Sequence, residues 1–214
     1  MFRRWLHRWS LSPEAQVRNV RQSLDLPPEQ AQLSSLWPLF VPASFFATGL
    51  WPGPVELLAA AGVGLTWTLE QPGQTTRYVD YGFVTHWNAR GIDWKREALD
   101  NLWRTSKSRL WTHELRRPSG AIYAAFLMHD DGYGPSRLLL TRAWQSVFPA
   151  GYQVALPEMS CGLAVSLDAD EAEQQRVSQI VADCFNEGTR PLAPGFFSPE
   201  ELTLPSAAEA RKAG

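Results

Sequence analysis

The run His129-Asp130-Asp131-Gly132-Tyr133-Gly134-Pro135-Ser136-Arg137 holds more polar chemistry than any other segment of the chain. Asp131, Tyr133, Ser136 and Arg137 are the candidate ligand-binding residues. If Pro135 opens a helix, free backbone N–H groups and the dipole favour an anion there, and Arg137 could clamp a carboxylate or phosphate. The same residues also have structural roles. Asp131 and Gly132 suit a turn, Pro135 a helix start, and the side chain of Asp131 or Ser136 can satisfy free N–H groups. Arg137 can pair with a nearby acid. The structural account is favoured, because each residue has a turning or capping role.

Sharper chemistry finds less support. Ser136, His129 and Asp131 supply the types of a hydrolytic triad, but no Gly-x-Ser-x-Gly elbow exists, so no catalytic residue is assigned. Cys161 before Gly162 reads as a buried strand cysteine rather than a nucleophile. Adjacent side chains such as His129, Asp130 and Asp131 rarely face one cation, even with Glu158 as a further ligand. The cysteines and scattered histidines have no zinc spacing. No phosphate-loop lysine accompanies the glycines. No metal and no cofactor are therefore expected.

These residues must be positioned by a core, and the composition allows one. The chain has 214 residues, 44% apolar and 20% charged, which suits a single globular domain. The expected organisation is one domain over 1–204 with a core over 54–197, an N-terminal basic and aromatic helical arm over 1–35, and a flexible tail over 205–214. The net charge of −2 argues against nucleic-acid binding by bulk electrostatics. Cys161 and Cys184 are the only cysteines, which suggests a reducing compartment, although the two could still pair. Residues 36–69 carry one charge, Glu56, but Pro38, Pro42, Pro52 and Pro54 break any spanning helix. That stretch reads as core. No signal-like apolar region follows Trp9, and a cytoplasmic location is expected.

Local patterns place the elements. Ser12-Pro13-Glu14 starts a helix that stops at Pro27-Pro28. Pro54–Ala61 reads as a short helix. Leu65, Trp67 and Leu69 alternate as in a strand, Gln71–Gln74 is a turn, and Tyr78–His86 is a second strand. Asp93 caps a helix through Trp103. Ser108–Leu115 and Ala121–Met128 read as strands around a turn at Arg117–Gly120, followed by a helix from Pro135 to about Phe148. Tyr152–Leu156 and Gly162–Leu167 are strands around Pro157–Ser160. Asp168 or Asp170 then caps a last helix that Asn186-Glu187-Gly188 ends. The fold class is α+β: an antiparallel sheet built from successive strand-strand-helix units, with helices mostly on one face.

Several of these segments resemble the YtpQ-like bacterial family, a domain of unknown function, over roughly 78–197. Glu97-Ala98-Leu99-Asp100-Asn101-Leu102 is similar to that family's Ala-x-x-Asn-Leu helix. Asp131-Gly132-Tyr133, with Ser136-Arg137-Leu138-Leu139, resembles its Asp-Gly-Tyr-x-x-Ser-Arg signature. Val154-Ala155-Leu156-Pro157 and Leu163-Ala164-Val165 resemble its late strands, and Gly188-Thr189-x-Pro191-Leu192 its closing motif. Gly134 and Glu158-Met159 depart from the family pattern. The resemblance implies kinship and fold, and it brings no activity, cofactor or substrate.

The ten tryptophans mostly sit at apolar-periodic positions and read as core. Trp5 and Trp9, beside Arg3 and Arg4, differ: they suit a docking surface for a protein partner. They would also suit an anionic membrane surface, bound weakly. The functional expectation is a cytoplasmic bacterial module without catalysis, acting on an unidentified protein partner and on no nucleic acid. The rival readings are a small-anion or nucleotide binder, or a hydrolase, using the turn from Asp131 to Arg137, and a peripheral membrane protein attached through residues 1–24.

Overall fold

The computed structural model describes residues 33–202, apart from 48, 50, 59–61 and 71–75. The expected arm helix after Ser12, the turn at 71–74, the tail, and the contact residues Arg3, Arg4, Trp5 and Trp9 lie outside the described residues.

Two antiparallel sheets form where one was expected. The first is built on β3 (Val63–Leu69), with β1 (Leu36–Pro42) on one side and the short β2 (Glu56–Leu57) and β4 (Arg77–Tyr78) on the other. The second runs in the order β5 (His113–Arg116), β6 (Ile122–Leu127), β8 (Cys161–Ser166), β7 (Tyr152–Glu158), β9 (Phe196–Phe197). Four α-helices occur among the described residues: α1 (Tyr81–Ala89), α2 (Trp94–Ser106), α3 (Thr141–Val147) and α4 (Glu171–Glu187). The class is α+β.

The first sheet is buried on both faces, so β1 and β3 read as apolar runs broken only by prolines and threonines. Pro38 and Pro42 are tolerated because β1 is an edge strand, paired only with β3. On one face Trp67 meets Trp94 of α2 edge-on, with ring centroids 4.9 Å apart, and Trp87 of α1 lies beyond. Asn101 of α2 is buried and donates through Nδ2 to the carbonyls of Leu33 and Leu36, at 2.6 and 3.0 Å. Lys95 lies over the rings of Trp67 and Trp94 and pairs with Glu56.

The second sheet separates two apolar clusters. Ala125, Leu127, Val154, Leu156 and Ala164 face the cluster shared with the first sheet. Phe126, Ala155, Leu163 and Val165 face α4 through Val177 and Val181. The start of α4 is a full capping box: Asp170 accepts from the Glu173 N–H, and Glu173 reaches back to the Asp170 N–H. Arg117, from the β5–β6 turn, holds Glu173 through two 2.8 Å hydrogen bonds.

Several local expectations are corrected. No helix forms at the start of 54–61. Glu56 and Leu57 pair instead with Leu65 and Gly64 and cover the otherwise open side of β3. The strand expected over Tyr78–His86 ends at Tyr78 and gives way to α1. Asp80 turns the chain into a helix by accepting from the N–H groups of Gly82 and Phe83, and the buried residues Phe83 and Trp87 have helical spacing. The strand expected over Ser108–Leu115 is confined to His113–Arg116. The helix expected from Pro135 to Phe148 is two pieces, a 3-10 turn over Pro135–Leu139 and then α3. Leu140, at φ −84° and ψ 58°, separates them.

Candidate functional site

The run from His129 to Arg137 leaves β6 and passes between the two sheets. Gly132 takes a left-handed φ of +81°, which a side chain disfavours. Gly134 lies so close to β6 that a Cβ there would stand 2.5 Å from the Leu127 carbonyl oxygen. The segment therefore folds back tightly, and Pro135 and Leu138 lie against Gly162 of β8.

Asp131 organises the turn. Its Oδ1 accepts from the Tyr133 N–H at 2.9 Å. Arg137 grips both carboxylate oxygens, with Nη1 to Oδ1 at 3.1 Å and Nη2 to Oδ2 at 2.6 Å. The pair is lopsided in exposure: the Arg137 side chain is 2% exposed and that of Asp131 40%. Burial pushes the Asp131 carboxyl up, but hydrogen bonds and charge from Arg137 outweigh it and hold the group below its ordinary value. The Arg137 backbone is used as well. Its carbonyl accepts from the Leu140 N–H at 3.1 Å and from the Trp144 indole at 2.8 Å.

Tyr133 points the other way, into the first sheet. Its ring stacks on Trp37 at 5.3 Å between centroids, and its hydroxyl lies 3.0 Å from Thr68 Oγ1. Burial raises the phenol's pKa above its ordinary value. Trp67 faces α2, so the neighbouring Thr68 faces the turn, as strand alternation requires.

Of the four candidate residues, the structure joins Asp131 to Arg137 and to the Tyr133 backbone. It sends the Tyr133 side chain to Thr68, and it buries Ser136, whose hydroxyl has no hydrogen-bond partner among the described residues. Ser136 therefore does not cap. His129 Nε2 lies 3.0 Å from the Arg109 carbonyl, and the other ring nitrogen has no partner among the described residues. Burial and the nearby Arg137 charge lower the His129 pKa. A Ser136–His129 hydrogen bond, the first requirement of a triad, is not formed. Among the described residues no group of three or more potential metal ligands gathers.

Two further clusters lie outside the 129–137 run. Glu158, buried at the end of β7, accepts from the N–H and hydroxyl of Ser160. Half-buried Arg190 is within electrostatic reach of Glu158 and of Tyr78 on the first sheet. Burial raises the Tyr78 phenol to about 12, and the Arg190 charge pulls it down. Cys161 and Cys184 form the other cluster, with Sγ atoms 3.8 Å apart. Both depend on contacts across the sheets or onto α4, and no local spacing signals them. A cavity of about 430 Å³ lies elsewhere, lined by Phe148, Tyr152, Leu167, Phe197 and neighbours, with no residue of the 129–137 run in its wall.

Comparison with known proteins finds no matching family model, no matching curated protein and no matching solved structure.

Proposed function

We propose that the chain is a non-catalytic protein-interaction or regulatory module of the bacterial cytoplasm. The observation that carries this reading is the inward orientation of the signature. Arg137 is buried and occupied by Asp131, and Tyr133 is taken by Thr68. An anion clamp needs its guanidinium turned toward solvent or toward a cavity. In this reading the Asp-Gly-Tyr-x-x-Ser-Arg run is a tether between the sheets, and partner contact is made by other surfaces, Trp5 and Trp9 with Arg3 and Arg4 first among them. Kinship with the YtpQ-like family, and the strand-strand-helix succession read along the chain, belong to the same proposal. Their support is the ordered set of motifs. No helix of the described residues is long and apolar enough to cross a membrane.

The test pairs two measurements on the full chain. Thermal unfolding is followed with inorganic phosphate and with ATP up to millimolar concentration, and neither is expected to raise Tm. Partner capture is then compared between the wild-type chain and the Trp5→Ala/Trp9→Ala variant, with loss of a specific partner expected. A rise in Tm that disappears in Arg137→Ala, with the variant still folded, would transfer the assignment to small-anion binding at the turn.

A further inference from the structure

The only two cysteines of the chain stand 23 residues apart and come together at one place, Sγ to Sγ 3.8 Å. Cys161 opens β8, directly after the turn held by Glu158 and Ser160, and Cys184 lies in the last turn of α4. Both are free thiols. A disulfide needs about 2.05 Å between the sulfurs, so the remaining gap is about 1.8 Å, within reach of a small side-chain rotation. The two thiols differ in access. Cys161 is 4% exposed and Cys184 is half-buried.

We propose that Cys161 and Cys184 form an oxidisable dithiol site whose substrate is a small disulfide, and that its closure fastens the end of α4 to the β7–β8 turn. Cys184, the more accessible sulfur, attacks as thiolate. Its sulfur bonds to one sulfur of the reagent, the reagent's S–S bond breaks, and the released thiolate takes a proton from water. Cys161 loses its proton to solvent and attacks the Cys184 sulfur. The mixed disulfide breaks, and the second reagent thiolate leaves and is protonated. Two electrons and two protons pass in all from the cysteine pair to the reagent. The hydrogen bond from Cys161 lowers the Cys184 pKa and raises that of Cys161, which suits these roles. Glu158, Asp183 and Glu187 work against the thiolate and against anionic reagents. An uncharged disulfide is therefore the preferred partner.

The test equilibrates the full chain with oxidised and reduced dithiothreitol, an uncharged couple, in ratios from fully reducing to fully oxidising. Each sample is quenched in acid, unfolded, alkylated and weighed. A monomer lighter by two hydrogens, without alkylation, is expected in a single two-electron transition. Tm of the oxidised chain should rise by roughly 5–10 °C, as a closed loop of this length implies. Amide exchange in the last turn of α4 should slow. Cys184→Ser, at the half-buried position, should remain folded, carry one alkylated thiol at every ratio and show no Tm response. Two alkylated thiols at the most oxidising ratio would overturn the proposal, as would a crosslink only between copies.

Discussion

The Asp131–Arg137 pair differs in what each partner loses when the other is removed. Arg137→Met leaves a carboxylate that water can reach, at a cost of about 2 kcal/mol. Asp131→Asn leaves a buried guanidinium without its counter-charge and should cost more, about 3 kcal/mol. Urea unfolding at pH 7 measures both. Because the Asp131 pKa is lowered by folding, its contribution is fully present above the unfolded value, about 3.9, and is lost as pH falls through the folded value. The stability gap between wild type and Arg137→Met should narrow below about pH 4. A second residue-scale test concerns Tyr133. Tyr133→Phe should cost about 1 kcal/mol, and a double-mutant cycle with Thr68→Val should show a coupling of that order. The local half of this site was legible: Asp131, Gly132 and Pro135 are turn and start residues, and an arginine six positions on is within reach of the turn acid. The partner of Tyr133 was not, because Thr68 is 65 residues away and only the packing of the two sheets brings it near.

At the scale of elements, the first sheet depends on α2 through one side chain. Asn101 holds the carbonyls of Leu33 and Leu36, at the entry to β1. Asn101→Ala should cost about 2 kcal/mol, since one buried and one part-buried carbonyl lose their donor. Hydrogen exchange should show β1 amides opening sooner while those of β7 and β8 keep their protection. The capping residues are readable: Asp93 starts α2 as its sequence context implies, and of the two candidates Asp168 and Asp170 it is Asp170 that starts α4. Errors arose where alternation and helical spacing coincide. Phe83 and Trp87, four positions apart, satisfy both, and the Asp80 cap decides for helix. In the sequence β1 reads only as a proline-interrupted core segment, because a strand buried on both faces shows no period.

For the whole molecule, the turn lies in the core that the two sheets share, through Tyr133 and Leu138, and a second core lies against α4. Trp37, Trp51, Trp67, Trp87, Trp94 and Trp144 all belong to the core that the sheets share, and none of the described tryptophans lies in the cluster against α4. Among the described residues, indole fluorescence therefore reports on the shared core, and amide exchange in α4 around Val177 and Val181 on the other. With the turn intact, denaturant midpoints from the two measurements should coincide. Tyr133→Ala, which removes the Trp37 stack and the Thr68 bond together, should separate them, with fluorescence changing first. The α+β class and most strands of the second sheet were visible as patterns. The division into two sheets was not, because strand pairing is a non-local choice that spacing along the chain does not encode.

The edges of these sheets also bear on behaviour in a crowded cell. A bare strand edge is a template on which another copy can polymerise. Here β1 contributes two prolines without N–H donors, β5 carries His113, Glu114 and Arg116, and β9 is two residues long. None offers a long, flat, uncharged ladder. The chain should stay colloidally stable at high concentration, and any assembly it enters should be built from side-chain surfaces rather than from shared strands.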